Sequence, residues 1–176
     1  LYRVSIGEGG STKISGIFAP IGSGVEDFRI SPDGSTVVYR KNGFFTTALY
    51  SVPITGGIPA MLNDSLSSGS SPFPTSDVSS FSISADSSTV VYRADEDTDE
   101  ISEIYAVPID GGPPSKLNGS LVAGGAVHSY LISEDSSTVV YRADQDTDGV
   151  KELYTETSLA LKDNRLSRTL DTGRSR

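Results

Sequence analysis

Apolar and polar positions alternate with a period of two through short stretches of this chain, and no apolar stripe keeps the helical period for three turns. The alternating stretches recur. VEDFRISPDGSTVVYR (Val25–Arg40), VSSFSISADSSTVVYR (Val78–Arg93) and VHSYLISEDSSTVVYR (Val127–Arg142) align at offsets of 53 and 49 residues. A second block follows each time: ALYSVPITGGIPAMLN from Ala48, EIYAVPIDGGPPSKLN from Glu103, and a broken ELYTETSL from Glu152. The chain also opens on this block, as LYRVSIGEGGSTKISG. Self-similarity at a fixed period of this size marks units that bury their apolar faces by stacking on one another.

Each unit predicts four short strands. Strand a covers Asp27–Ser31, Ser80–Ser84 and Ser129–Ser133, where an aromatic and an isoleucine alternate with small or polar residues. A tight turn follows, Pro32–Ser35, Ala85–Ser88 or Glu134–Ser137, in which Asp bonds its own backbone and Gly34 accepts a positive φ. Strand b is TVVYR, β-branched and aromatic throughout. Strand c is LYSVPI or IYAVPI, its proline near the end where a missing N–H does no harm. The pairs Gly56-Gly57 and Gly111-Gly112 turn the chain into strand d, which ends at Leu62-Asn63 and Leu117-Asn118. The expected class is all-β.

S-P-D-G-S-T-V-V-Y-R, then L-Y-S-V-P-I-x-G-G, then a short strand closing in L-N, resembles the TolB-like (WD40-like) β-propeller repeat. The resemblance covers about residues 1–156. The SPDG turn is complete only at Ser31–Gly34; the later copies read SADS and SEDS. The resemblance implies four-stranded antiparallel blades around a central axis. It implies no single function, because propellers serve as binding scaffolds, enzyme lids and partner platforms. The expected array is a leading half-blade at 1–16 and units near 25–62, 78–117 and 127–155, followed by a basic tail at 157–176. About three blades are too few to close a ring, so the ring is incomplete within one chain. Leu1 opens the sequence in mid-blade without a signal-peptide pattern, and the expectation is a processed chain or a piece of a longer one. Incomplete blades leave open strand edges. The expected partners are therefore further copies of the chain, in a ring or fibre, or the missing blades of a longer chain.

Composition narrows the chemistry. With 176 residues, 36% hydrophobic, the chain can build a core. It has no Cys, which removes disulfides, thiol catalysis and thiolate metal sites. Its one His, His128, would have to carry any hydrolytic triad alone. Net charge is −9 and pI about 4.5, which argues against nucleic acid and anionic membrane surfaces as partners. No apolar run is long enough to insert in a bilayer. The tail carries Lys162, Arg165, Arg168, Arg174 and Arg176 against Asp163 and Asp171, a basic end on an acidic body. No G-x-S-x-G elbow, H-E-x-x-H helix or P-loop is present.

The sharpest chemical motif is the loop between strands b and c. The third unit reads Asp144, Asp146, Asp148, Gly149, Val150 and Glu152 at loop positions 1, 3, 5, 6, 7 and 9. The second places Asp95, Asp97, Asp99, Glu100, Ile101 and Glu103 at the same positions. Carboxylates at alternate positions of a curling loop, with a carbonyl from Val150 or Ile101, make an oxygen cage suited to calcium. Glu100 in place of glycine weakens the second cage. The first unit has Lys41–Thr47 instead, without a carboxylate, and its Tyr39–Tyr50 interval is two residues shorter than Tyr92–Tyr105 and Tyr141–Tyr154. The alternative is an acidic hairpin that keeps blade edges soluble. Arg40, Arg93 and Arg142 recur at one position, where pairing with acids inside each blade is expected. The recurrent tyrosines are expected to pack between blades, and His128 to lie at the surface. Asn63 and Asn118 open N-x-S patterns at strand-end turns. The reading as a whole is a non-enzymatic, calcium-stabilised binding or assembly scaffold, extracellular or in the cell envelope. Its alternatives are a subunit of a ring or fibre and a partial propeller accessory to a hydrolase or transport-associated protein.

Overall fold

A computed structural model describes residues 1–4, 11–15, 23–43, 46–63, 77–98 and 100–157. Asp99 and the tail from residue 158 onward lie outside the described residues. Among the described residues every regular element is a strand, so no helix is long and apolar enough to cross a membrane. The four sheets follow the repeat. A leading hairpin pairs β1 (Tyr2–Val4) with β2 (Ser11–Lys13). The first full sheet runs β3 (Gly24–Ile30), β4 (Thr36–Asn42), β5 (Thr47–Pro53) and β6 (Ala60–Met61) in sequence order, all antiparallel. The second repeats it with β7 (Ser80–Ile83), β8 (Thr89–Ala94), β9 (Glu103–Pro108) and β10 (Ser115–Lys116). The third holds β11 (Val127–Ile132), β12 (Val139–Ala143) and β13 (Glu152–Glu156). This is the meander of propeller blades, with strand d represented by β2, β6 and β10 among the described residues.

The sheets stack, and alternation along strand b decides which side chain faces which neighbour. Val37, Tyr39 and Val52 of the first full sheet pack on Ile14 and Leu1 of the leading hairpin. Val38, Leu49 and Leu62 leave the opposite face of that sheet to meet Val78, Phe81, Val90 and Tyr92 of the second. Val91, Ile104, Ala106 and Leu117 in turn meet Val127, Val139, Tyr141 and Ala143 of the third. Burying such side chains contributes about 1.5–3 kcal/mol each. The cores therefore lie between sheets, and each unit needs a neighbour to acquire one. The recurrent tyrosines stack in pairs across strands b and c: Tyr39–Tyr50 at 5.6 Å, Tyr92–Tyr105 at 5.4 Å and Tyr141–Tyr154 at 5.4 Å between ring centroids. These six serve the cores between sheets, as expected for them, whereas Tyr2, expected to do the same, is exposed.

The a–b turn is built by its aspartate. Asp33 accepts from Ser31 Oγ, Ser35 Oγ and the Ser35 N–H, and Asp86 repeats the set with Ser84 and Ser88. These bonds, that from Ser31 foremost, hold Asp33 below the ordinary carboxylate range, and Ser84 does the same for Asp86. Gly34 takes a φ of 74° in this turn, and Ser87 and Ser136 take 62° and 60° at the same place. A serine is strained there. Its hydroxyl faces the preceding sheet: Ser87 Oγ accepts the Asp33 N–H at 3.0 Å, and Ser136 Oγ the Asp86 N–H at 3.0 Å.

Candidate functional site

The acidic loops leave strand b and return as strand c. In both, the residue at position 7 donates its N–H to a threonine carbonyl, Ile101 to Thr98 at 3.1 Å and Val150 to Thr147 at 3.0 Å. Position 6 is left-handed in both: φ is 77° at Gly149 and 65° at Glu100. The two loops thus share one turn, and the glutamate adopts it despite its Cβ.

The first acid of each loop closes its own sheet. Asp95 Oδ1 accepts the Asp77 N–H at 2.7 Å, and Asp144 Oδ1 accepts the Ala126 N–H at 2.7 Å. The Ala126 bond holds Asp144 below the ordinary carboxylate range, and His128, with Nε2 3.1 Å from Oδ1, adds to the effect. His128 is half-buried against this carboxylate, a role its isolated position in the sequence does not announce.

The remaining acids divide. In the second unit Glu103 is buried, accepting from Tyr105 Oη at 3.0 Å and pairing with Lys116, which also reaches Asp97 at 3.1 Å. Desolvation pulls the Lys116 ammonium down, but Glu103 and Asp97 outweigh it and raise its pKa. In the third unit Tyr154 Oη donates toward both Asp146, at 3.2 Å, and Glu152, at 3.3 Å. Tyr154 is pushed up to about 12, by desolvation and then by Asp146 and Glu152. Asp148 packs against Gly124, where an added Cβ would lie 3.0 Å from its carboxylate. Gly125 lies closer still to the loop, since a Cβ there would stand 2.5 Å from the Asp144 carbonyl oxygen. Among the described residues no three acidic or histidine side chains gather where one ion could bind them. The described loop acids include a sheet-closing residue, Asp95 or Asp144, and a pair that meets one polar head, Asp97 with Glu103 on Lys116 or Asp146 with Glu152 on Tyr154 Oη. Lys116 and Gly124, which decide that division, lie outside the loops and carry no spacing signal.

The recurrent arginines reach forward. Arg40 lies 3.6 Å from Glu26 in its own sheet, the expected kind of pairing. Its Nη1 also donates to the Val78 and Ser79 carbonyls of the next sheet, both at 2.9 Å. Arg93 repeats this by donating to the His128 carbonyl. The two asparagines of the N-x-S patterns are buried, and each Oδ1 accepts a strand c N–H, Asn63 from Leu49 at 2.8 Å and Asn118 from Ile104 at 2.9 Å. They hold strand c to the end of strand d. A shallow groove of about 330 Å³ crosses the three a strands, and Arg29 is the one ionisable side chain among its described lining residues.

This geometry defines the class: stacked four-stranded antiparallel sheets of a β-propeller. No protein-family model matches the sequence, and no curated protein sequence matches it. Solved structures match through the fold. A putative TolB from Agrobacterium tumefaciens superposes with a TM-score of 0.50 at 21% identity, covering 76% of this chain and 42% of that one. The tricorn protease does so at 0.53 and 17% identity, over 83% of this chain and 14% of that one. A puromycin hydrolase mutant in complex with a ligand gives 0.52 and 13% identity, over 74% and 20%. The fold of the blades is thus the β-propeller fold expected from the repeat, and the chain spans less than half the length of each of these proteins.

Proposed function

We propose that this chain is a non-enzymatic propeller-repeat scaffold that works by docking partners on its blades, in the extracellular space or the cell envelope. The observation that supports the reading is the stack itself: the second sheet is covered on both faces and the first is covered at strands b and c, while the outer face of the third carries exposed Leu131, Val140 and Leu153. The envelope placement rests on the TolB resemblance alone. Sedimentation of the full chain tests the manner of assembly. A ring or fibre of this chain predicts a mass above the monomer; a scaffold for other partners predicts a folded monomer. Labelling by a serine-hydrolase probe, or turnover of peptide or ester substrates, would overturn the non-enzymatic reading.

Calcium stabilisation belongs to the same proposal. It is supported by the convergence of Asp146 and Glu152 on one hydroxyl and by the left-handed position shared by both loops. Binding requires Asp148 to turn from Gly124 toward that pair. Melting the chain in calcium and in EDTA tests it. At free calcium ~100 times the dissociation constant, the folded state gains about 2.7 kcal/mol. Identical melting in both buffers would remove calcium from the reading.

A second reading is favoured by the tricorn protease and puromycin hydrolase similarities: blades that accompany a separate catalytic domain. A catalytic domain encoded in the same reading frame would decide for it.

A further inference from the structure

We propose that the outer face of the third sheet is a docking surface for a fourth unit of this same repeat. The inference rests on the reading of the chain as a blade scaffold and names the chemistry of its partner. The face is formed by cross-strand neighbours. Leu131 is paired with Val140, and Arg142 with Leu153. Leu131, Val140 and Leu153 are 76%, 36% and 74% exposed. The positions of Val140 and Leu153 are covered by the next unit in the two earlier sheets. Val38 and Val91 stand where Val140 does, Leu49 and Ile104 where Leu153 does, and all four are 0% exposed. Each earlier sheet therefore shows what the third one lacks.

The polar groups repeat the pattern. At each internal junction an arginine donates to carbonyls at the start of the next strand a, Arg40 to Val78 and Ser79, and Arg93 to His128. Thr47 and Ser102 each offer a carbonyl to the next lead-in, to the N–H of Val78 at 2.9 Å and of Val127 at 2.8 Å. A serine in the left-handed turn position of the incoming unit accepts from the turn aspartate N–H. On the third sheet the corresponding groups are Arg142, the Lys151 carbonyl and the Asp135 N–H. The Arg142 side chain is exposed and has no hydrogen-bond or ion-pair partner among the described residues. Covering this face thus calls for a Val-Ser or Val-His lead-in, an aromatic in strand a to meet Leu131 as Phe81 meets Arg29, and a serine in the turn.

A second copy of this chain fits less well. Among the described residues its leading hairpin presents strands c and d, whereas Leu131 and Val140 lie on strands a and b. Its first full sheet is already covered at strands b and c by that hairpin, through Leu1 and Ile14. A complete four-stranded unit meets strands a, b and c together.

The chain has no cysteine, so a single introduced thiol reports on one position. Leu153→Cys in the full chain is compared with Leu153→Cys in a chain lengthened by one period, in which a second copy of residues 106–154 is inserted after Tyr154. Ile104→Cys marks the covered position, with Val91→Cys in its place if that variant does not fold. The expected result is fast maleimide labelling of the Leu153→Cys variant of the parent chain. In the lengthened chain labelling slows by at least about 100-fold, to the rate of the covered position. Unchanged labelling in a folded, lengthened chain overturns the proposal. Protection in the parent that grows with protein concentration makes a second copy the occupant and also overturns it. So does protection that is lost on deleting residues 158–176, since the occupant is then the chain's own tail. If the covered position itself labels as fast as the Leu153→Cys variant of the parent, the sheets do not stack and the blade reading fails instead.

Discussion

The second and third sheets contain the same strand, Ser-Thr-Val-Val-Tyr-Arg, in different surroundings. On the side facing the preceding sheet the two are alike: Val90 and Tyr92 are buried, and so are Val139 and Tyr141. On the other side they part. Val91 is sealed and Arg93 is bonded across the junction, whereas Val140 and Arg142 meet solvent. An identical stretch of sequence thus has two energetic roles, and the neighbour decides which. Stability in such an array is a sum of unit and junction terms, so matched substitutions in the two sheets separate one from the other.

The largest contrast is expected at strand c. Ile104→Ala opens a cavity in a sealed junction and should cost about 2–5 kcal/mol. Leu153→Ala removes an exposed side chain and should stay within about 0.5 kcal/mol. Urea unfolding of the two variants measures the difference, and equal losses would mean that the outer face is covered in solution. The arginines come next. Arg93→Ala leaves a junction carbonyl without its charged donor, at a cost of about 1–3 kcal/mol, while Arg142→Ala should be near neutral.

A smaller effect is expected at the turn. Ser87→Ala loses the hydroxyl that accepts from Asp33 and keeps the left-handed backbone, and should cost about 1 kcal/mol. Ser87→Gly loses the same bond but relieves the strain, and should lie closer to wild type. If alanine and glycine behave alike by thermal melting, backbone strain plays no part in the turn.

The smallest effect is in the response to acid. The turn bonds depress Asp86 in the folded chain, so its contribution is present above the unfolded value near 3.9 and is lost as pH falls through the lower folded value. Stability should change little from this group between pH 7 and about 5, then decline below about 4. Asp86→Asn should flatten that decline, as read from melting temperatures across the acid range.

The fold was legible because the repeat states it three times. STVVYR and the Gly-Gly turns mark strand ends, and alternation separates two faces. Alternation does not say which face meets which neighbour, and that knowledge came from Val38 and Val91 being sealed by the following sheet. The acidic loops were legible as loops and as carboxylate clusters. Their internal division was not, because Lys116 on strand d and Gly124 in the lead-in to strand a are distant in sequence and ordinary in composition. The arginines were expected to pair with acids inside each blade, as Arg40 does with Glu26. Their bonds to the next sheet have carbonyl acceptors, and a backbone acceptor leaves no mark in a sequence.

The arginine bonds also bear on symmetry. At both internal junctions the guanidinium lies on one face of its sheet and the carbonyl that receives it on the opposite face of the next, so the array has a head and a tail that differ chemically. A two-fold dimer through the outer face would turn Arg142 of each protomer toward its counterpart and leave both without an acceptor. Growth by head-to-tail addition repeats the internal junction, and only this heterologous contact lets one unit follow another in a single sense around an axis.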